Sequence, residues 1–188
     1  MSRSDTPEGR LLMAINKMRA VDLNGAREDI LRCLELKPDW AEAHVTHGRI
    51  LMMAADLSGA ETAFRRALSC DPNSFEGLLE LGALARQEGK PAEARDALTR
   101  ALAIRPGDVP ARYELALIES ADGHDARAVQ LLESVVRDAP NFMEAHVRLA
   151  TLYFRLHRPE DGQREKLIAD RLRAEKAEQG RSKGQGPR

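Results

Sequence analysis

Apolar residues recur along the chain at spacings of three and four residues, the pattern of an α-helix that buries one face. Three segments show the pattern most clearly, because each has apolar residues at i, i+3, i+4, i+7 and i+8. They are Ala60, Ala63, Phe64, Ala67 and Leu68; Ala94, Ala97, Leu98, Ala101 and Leu102; and Ala128, Leu131, Leu132, Val135 and Val136. Residues 60, 94 and 128 are 34 apart, so the three segments predict equivalent helices in a repeating unit.

Prolines repeat at the same interval. Successive members of the set Pro38, Pro72, Pro106 and Pro140 are 34 residues apart, and a fixed period of this size indicates a repeat array. The copies, numbered 1 to 5 below, run over residues 7–40, 41–74, 75–108 and 109–142, with a divergent fifth copy from residue 143. Each copy has two amphipathic segments, and neither can bury its apolar face without its partner and a neighbouring copy.

The two ends of the chain differ from its middle. Residues 1–5 are polar and are predicted to be disordered. A mostly charged segment over residues 160–178 predicts a final capping helix whose outer side meets water, as the end of a repeat array requires. The low-complexity residues 180–188 are predicted to form a disordered tail. The array itself is therefore assigned to residues 6–179.

Landmark residues recur in a fixed order within the copies. Copy 3 has Leu78, Leu81-Gly82, Ala85, Ala94, Leu98, Ala101 and Pro106, and copy 2 has His44, His47-Gly48, Leu51, Ala60, Phe64, Ala67 and Pro72 in the same register. This order resembles that of the tetratricopeptide repeat (TPR) family. The resemblance implies an all-α, right-handed α-solenoid of helix-turn-helix repeats, with four repeats plus a divergent fifth that ends in the capping helix.

Two copies depart from the family pattern in their first helix. Arg10 and Arg112 stand where the first large residue is expected, and Lys17 and Glu119 stand where the family has Tyr. These substitutions predict a more loosely packed first helix in copies 1 and 4.

Polar residues before several helices predict capping of free N–H groups. Thr6 before Pro7 and Asp108 before Val109-Pro110 are start signals of copies 1 and 4. Spacings typical of a capping box occur at Asp39 and Glu42, Asn73 and Glu76, Asn141 and Glu144, and Ser58 and Glu61.

Composition and charge narrow the function classes. The net charge is −1, so no general attraction to nucleic acid or anionic lipid is expected. No apolar run is long enough for a membrane span and the start carries no hydrophobic signal segment, so a cytoplasmic location is expected. Cys33 and Cys70 form no CxxC pair. Cys33 shares the register of Ala67 and Ala101, which predicts a small buried residue.

Motifs of enzyme chemistry are sparse in this sequence. It has no phosphate-binding glycine loop and no nucleophile elbow, and neither a cofactor nor catalysis is expected. His44 and His47 lie one helical turn apart, a spacing that some zinc sites use, but the glutamate of an HExxH motif and a third ligand are missing. His146 repeats the register of His44, which favours packing with a polar group at a helix interface.

The family resemblance also implies where a ligand would bind. In TPR proteins the first helix of each repeat lines a concave groove that receives peptides, through the fifth, ninth and twelfth residues of each copy. In this chain those residues are Leu11, Ile15 and Met18; Val45, Arg49 and Met52; Leu79, Ala83 and Arg86; Tyr113, Leu117 and Ser120; and Val147, Thr151 and Phe154. The lining is mostly apolar, so it is either an open binding surface or partly core.

These patterns predict a non-catalytic protein–protein interaction module, an adaptor or scaffold that holds a partner peptide or helix in its groove. Arg49 and Arg86 interrupt the apolar lining and are expected to orient the partner. The alternative is a structural or self-assembling subunit, which would include a homo-oligomer. A more remote alternative is a metal-dependent enzyme that uses His44 and His47. Nucleic-acid binding is not expected, because no basic face is evident.

Overall fold

The computed structural model describes residues 5–184, with side chains described for residues 5–178. This part of the chain folds into ten α-helices and contains no β-strand, so the predicted all-α class is confirmed. The first helices of the five copies, called A helices, are α1 (Pro7–Arg19), α3 (Ala41–Met53), α5 (Phe75–Gln87), α7 (Val109–Ala121) and α9 (Met143–Arg155). The second helices, called B helices, are α2 (Leu23–Leu36), α4 (Leu57–Cys70), α6 (Pro91–Ile104), α8 (Asp125–Asp138) and α10 (Pro159–Gly184).

The chain divides into two compact units. Unit 1 extends to Pro106 and contains α1 to α6, and unit 2 begins at Gly107 and contains α7 to α10. In both units each A helix packs against the B helix of its own copy. Within unit 1, α2 packs on α3 and α4 on α5, and within unit 2, α8 packs on α9. Every A helix begins at the first residue of a copy assigned from the sequence, because the landmark proline lies in the loop before it.

Apolar landmarks of neighbouring helices form the cores of both units. In unit 1, Ile30 and Cys33 of α2 pack with Ile50 of α3, and Phe64 of α4 packs with Leu84 of α5. The prediction that Cys33 is buried is confirmed. In unit 2, the corresponding cluster brings Leu132 and Val135 of α8 against Leu149 and Leu152 of α9.

The glycine of the Leu-Gly landmark permits close contact between the two helices of a copy. A Cβ atom on Gly48 would lie 2.4 Å from the ring of Phe64, and one on Gly82 would lie 2.7 Å from Leu98. Both contacts are shorter than van der Waals distances, so these two registers exclude any side chain while the helices keep their present spacing.

The departures in copies 1 and 4 are compensated by ion pairs. In copy 1, Asp29 of α2 is 2% exposed and pairs with Arg10 and with Lys17, each at 2.7 Å. Burial alone would raise the pKa of Asp29, but the bonds from Lys17 and Arg10 outweigh burial and hold it below its usual value. Helix α1 has 13 residues, as do α3 and α5, so the charged substitutions do not shorten it.

Copy 4 uses a different set of partners for the same purpose. Arg112 donates to the Gly107 carbonyl at 2.8 Å and to Asp138 at 2.6 Å. Glu119 is fully buried and lies 2.9 Å from Nδ1 of His124, with Arg127 at 3.7 Å. Helix α7 also has 13 residues, so the charged substitutions leave its length unchanged.

The turn inside every copy places one residue in the left-handed region of backbone space, always at the same register. Gly89 and Gly123 take this position with φ of 73° and 79°. Val21, Ala55 and His157 take it with φ of 62°, 60° and 56°. Residues with a Cβ adopt this conformation at a cost, and a β-branched residue such as valine is the least suited to it. Three of the five turns therefore carry local strain.

Helix capping follows the sequence only in part. Thr6 and Asp108 cap α1 and α7 as predicted, through Gly9 N–H at 3.1 Å and Ala111 N–H at 2.8 Å. The four capping boxes are wrong. The cap of α4 is Asp56, with Ser58 inside the helix, and the cap of α5 is Ser74, which accepts from Gly77. Trp40 and Phe142 occupy the cap positions of α3 and α9 and supply no side-chain acceptor.

The end of the array also lies later than the sequence predicted. Helix α10 continues to Gly184, where a cap ending at residue 178 and a disordered tail from residue 180 were expected. Residues 1–4 and 185–188 of the two predicted disordered ends lie outside the described residues. Asp5 is described and pairs with Arg10 at 2.9 Å.

Both outermost helices are polar where inner helices are apolar. Ile50, Leu84 and Leu152 share one A-helix register and pack on the preceding B helix. Helix α1, the first helix of the described residues, carries exposed Asn16 at that register. Ile30, Phe64 and Leu132 share one buried B-helix register, and α10 carries exposed Lys166 at that position. The first and last helices are therefore built to end the stack.

Candidate functional site: the A-helix face of unit 1

A cavity opens on the side of unit 1 where α1, α3 and α5 lie next to one another. Its volume is about 760 Å³. It is lined by Ile15, Met18, Arg19, Trp40, Ala41, Glu42, Val45, Thr46, Arg49, Asp71, Asn73, Ser74, Phe75, Glu76, Ile104 and Arg105. We call it the A-face cavity. Its walls combine A helices with the loops between copies, because each loop enters the next A helix on this side.

Two aromatic residues, Trp40 and Phe75, belong to the lining of the A-face cavity, and Phe75 is only 4% exposed. Trp40 is half-buried, and Nζ of Lys37 lies 4.2 Å from the centre of its ring. Phe75 begins α5, and the guanidinium of Arg105 lies 4.1 Å from its ring centre while pairing with Glu76 at 2.8 Å. Such surfaces suit an apolar or aromatic side chain of a ligand.

Charges at the cavity rim are balanced and mostly paired. Nε of Arg49 lies 2.6 Å from Oε1 of Glu80, and the two side chains are 39% and 21% exposed. Arg19 and Glu42 also line the cavity, and neither side chain has a partner among the described residues. The A-face cavity therefore offers one free cation and one free carboxylate beside an apolar floor.

The structure separates the nine groove residues predicted in unit 1 into three classes. Leu11 and Val45 are only 5% and 2% exposed, and both pack into the core between A and B helices. The assignment of Leu11 to an open surface is therefore corrected, whereas Val45 also belongs to the cavity lining. Ile15, Met18 and Arg49 are half-buried and line the cavity. Met52, Leu79, Ala83 and Arg86 are half-buried outside it, and Arg86 is held by an interaction within the protein.

The six groove residues predicted in unit 2 are more accessible. Val147, Thr151 and Phe154 of α9 are exposed, with 37% exposure for Val147 and 44% for Phe154. Tyr113, Leu117 and Ser120 of α7 are half-buried. The ring of Tyr113 lies against that of Phe142, with centroids 4.7 Å apart. The A-helix side of unit 2 therefore carries a second, shallower apolar surface.

Sequence reasoning missed the loop residues of the A-face cavity. Trp40, Phe75, Ile104 and Arg105 stand at the ends of copies, outside the fifth, ninth and twelfth registers. The available signal was composition, because Trp40 is the only tryptophan in the chain and tryptophan is enriched where proteins bind partners.

The two histidines one turn apart make different contacts. Nε2 of His44 lies 2.7 Å from the Pro38 carbonyl, and Nε2 of His146 lies 2.9 Å from that of Pro140, so the predicted packing role with a polar group is confirmed for both. Burial lowers the pKa of His47, and the nearby His44 and Arg27 lower it further. No group of three or more His, Cys, Asp or Glu side chains within the described residues is placed to hold a metal ion.

No helix in the described part of the chain combines the length and the apolar character needed to cross a membrane. Among solved structures, MamA is similar with a TM-score of 0.76 and 22% identity, over 88% of this chain and 97% of that chain. PilF of Pseudomonas aeruginosa is similar with a TM-score of 0.82 and 17% identity, over 88% of this chain and 76% of the PilF chain. YrrB, described as a TPR protein with an unusual peptide-binding site, is similar with a TM-score of 0.72 and 18% identity, over 90% of this chain and 88% of the YrrB chain.

At these identities the likeness to solved structures shows the fold alone. No curated protein sequence matches the chain. Two family profiles described as tetratricopeptide repeat match residues 45–109 and 85–141, which together span more than half of the chain. With the 34-residue period and the ten helices in A and B pairs, these matches show that the chain belongs to the tetratricopeptide repeat family.

Proposed function

We propose that this protein is a non-catalytic adaptor or scaffold that holds a segment of a partner protein on its A-helix side, with the A-face cavity as the primary contact. The observation that supports it most is the cavity itself, about 760 Å³ in volume and floored by Ile15, Met18 and Trp40. Concavities of this size that combine apolar walls with a few polar groups are typical of binding sites.

The chemistry of the cavity favours an apolar or aromatic anchor on the partner. Arg49 and Arg105 are already neutralised by Glu80 and Glu76, so the rim offers little net charge to a strongly charged ligand. Arg19 and Glu42 supply one polar contact of each sign. A helix or extended segment with an apolar residue between polar neighbours meets all these features. The peptide-binding site described for YrrB is consistent with this mode.

Self-assembly by end-to-end stacking is the alternative, and the terminal helices weigh against it. Asn16 and Lys166 occupy the registers at which inner helices bury Ile, Leu or Phe. A copy stacked on either end through the regular helix contact would bury a polar amide or an ammonium group, which is unfavourable. Association through the A-helix side remains compatible with the adaptor role.

Repeats of this family generally serve as interaction modules without catalysis, and the proposal extends that to this chain. His44 and His47 are better explained by packing, because Nε2 of His44 is occupied by the Pro38 carbonyl. A cytoplasmic location and the lack of a nucleic-acid partner are parts of the same proposal.

Selection of peptides from a random library on the intact protein tests the function. Selected peptides are expected to bind Met18→Glu at least about tenfold more weakly than the native protein, because the charge enters the apolar floor. Leu31→Glu is the matched control, since Leu31 is 40% exposed on a B helix. If the selected peptides bind Met18→Glu as tightly as the native protein and bind Leu31→Glu more weakly, the binding surface lies on the B-helix side and the proposal is overturned.

A further inference from the structure

His44 and His146 are equivalent residues in different copies, and they differ in one contact. Each is the fourth residue of its copy, and each places Nε2 against the carbonyl of the landmark proline six residues earlier. Nδ1 of His146 also lies 2.6 Å from Oε2 of Glu165. Nδ1 of His44 has no partner among the described residues. One ring nitrogen is therefore satisfied by a carboxylate in copy 5 and left open in copy 2.

The register of the B helices explains the difference. Glu165 is the twenty-third residue of copy 5, and the twenty-third residue of copy 2 is Ala63. Ala63 has no group that could reach His44, and a cavity of about 460 Å³ opens between α2, α3 and α4. His44, His47 and Ala63 line this cavity, which we call the His44 cavity. Copy 5 has a cavity of about 450 Å³ at the equivalent registers, with His146 and Glu165 in its lining. The two copies therefore differ in the carboxylate beside the histidine and not in the space around it.

The charges around the His44 cavity favour an anion. Arg27 of α2 is exposed and makes no hydrogen bond or ion pair with the described residues. Arg66 of α4 pairs with Asp39 at 2.9 Å and remains 53% exposed. The acidic residue in the lining, Asp56, is engaged as the cap of α4 through Gly59 N–H at 2.9 Å. Two arginines and two imidazoles therefore line the opening, and the two nearby carboxylates, Asp56 and Asp39, are each engaged within the protein.

The apolar part of the cavity adds a size requirement. Leu34, Leu51 and Ala63 supply the remaining wall beside the histidines. A volume of about 460 Å³ exceeds what a bare carboxylate fills, so methylene groups next to the carboxylate would contact this wall.

Protonation decides whether His44 can hold a carboxylate. Its Nε2 must donate to the Pro38 carbonyl, so a neutral ring presents a bare Nδ1 that repels an anion. The imidazolium form donates from both nitrogens. The other charged or titratable residues in the cavity lining are Arg27 from α2, His47 from α3, and Asp56 and Arg66 from α4. Carboxylate binding and proton uptake at His44 are therefore coupled.

We propose that the His44 cavity binds the side-chain carboxylate of a glutamate or aspartate of a partner protein, in the place that Glu165 takes beside His146. The bond pairs the carboxylate with the His44 imidazolium, with Arg27 and Arg66 at the rim. The choice of a polypeptide as the source rests on the proposed interaction function. The site lies among α2, α3 and α4 and shares no lining residue with the A-face cavity.

The test uses the intact protein and a pentapeptide probe, acetyl-Ala-Ala-Glu-Ala-Ala-amide, with its glutamine counterpart and acetate as comparisons. Long-range proton–nitrogen NMR spectra of the histidine rings report the protonation of His44. The glutamate probe is expected to shift the His44 signals saturably, at least about tenfold more strongly than the glutamine probe. The affinity is expected to fall as pH rises, because a neutral ring that donates from Nε2 has no donor at Nδ1.

Two variants transfer the copy 5 arrangement to copy 2. Ala63→Glu supplies the chain's own carboxylate and is expected to abolish probe binding. Because Ala63 is 5% exposed and its replacement could disturb folding, Arg66→Ile is the second variant, since copy 5 has Ile168 in that register. It is expected to weaken the probe at least about threefold. Arg32→Ala on α2 is the control, since Arg32 is exposed and outside the cavity.

Equal shifts with the glutamate and glutamine probes would overturn the site, as would probe binding that survives both variants. Acetate that binds as tightly as the glutamate peptide would overturn the assignment of a partner side chain as the occupant. Neither result depends on Met18, so failure of this proposal is distinguishable from failure of the A-face cavity as the binding surface.

Discussion

Nζ of Lys17 lies 2.7 Å from Oδ2 of Asp29, and the pair replaces two residues that copies 2 and 3 keep uncharged. Lys17 stands in the register of Leu51 and Ala85, and Asp29 in that of Ala63 and Ala97. Either charge alone would be poorly solvated in this packing, so the two substitutions make sense only together.

Replacing Asp29 with Ala should lower the stability of the protein by roughly 1–3 kcal/mol at neutral pH, the range for hydrogen bonds to charged groups. The pKa of Asp29 is lower in the folded state, so its contribution is present above the unfolded value of about 3.9 and is lost as pH falls through the folded value. Urea unfolding of both proteins near pH 7 and near pH 3 measures the effect. The gap between them should narrow in acid, and an unchanged gap would show that Asp29 is not ionised in the fold.

Val21→Gly should stabilise the protein by roughly 0.5–1 kcal/mol. Val21 is 68% exposed and has φ of 62°, so the change removes left-handed strain without losing buried surface, less the entropy that glycine adds to the unfolded chain. Gly123→Val is the matched reverse at the same register, where an added Cβ meets nothing within 4 Å. It should lower stability by about 1–2 kcal/mol. Thermal unfolding measures both stabilities. If both variants are more stable than the native protein, or both are less stable, the strain assigned to the left-handed residue would be refuted.

Leu81→Ala should cost roughly 2–5 kcal/mol, the usual range for a buried leucine. Leu81 is 7% exposed and packs in the cluster that includes Phe64 and Leu84. Chemical denaturation of both proteins gives the value, with Leu12→Ala as the control because Leu12 is 59% exposed. A loss below about 0.5 kcal/mol at Leu81 is typical of surface sites and would contradict the packing.

The double variant Arg49→Ala and Arg86→Ala should weaken binding of peptides selected on the protein by roughly 2 kcal/mol, while the fold remains intact. Calorimetric titration measures the loss, and Arg95→Ala with Arg100→Ala is the control pair on α6. A larger loss for the α6 pair would place the partner on the B-helix side.

Glu80→Gln sharpens the same question for Arg49 alone. It removes the charge that engages Arg49 at 2.6 Å. Peptides with an acidic group near the anchor should then bind more tightly, by about threefold or more, because the guanidinium is released. Unchanged or weaker binding of such peptides would mean that Arg49 serves the protein's own packing.

The sequence was most informative about features that depend on a few neighbouring residues, such as where a helix starts or turns. Repeated prolines and glycines fix where helices start and turn, so the A-helix starts and the buried Leu81 and Cys33 could be read directly. The ion pairs of Asp29 could not be predicted from the sequence, because they join residues of α1 and α2, and the repeat pattern does not show which side chains of two helices meet. The cap predicted at Asn73 is wrong because Ser74, directly before the helix, accepts from Gly77 N–H. Asp39 and Asn141 lie one residue too early, before the cap positions of Trp40 and Phe142.

The candidate site was predicted in part for a similar reason. Register alone identifies A-helix residues such as Ile15 and Met18, since every copy presents the same positions. It does not reveal that Val45 turns inward or that Trp40 and Ile104 complete the cavity, because those depend on how loops and neighbouring copies meet.

Asn16 is exposed at the start of the array and Lys166 is exposed near its end. The number of copies is therefore easier to change by adding or removing an interior copy than by removing a terminal one. A tandem duplication of copy 2 would insert a unit whose two neighbours already match it, and the two terminal helices would be unaffected. Loss of the first or last copy would instead remove the helix with the polar outer face and expose the apolar face of the next helix to water. Gene rearrangements in this lineage should therefore vary the interior of the array and conserve its ends.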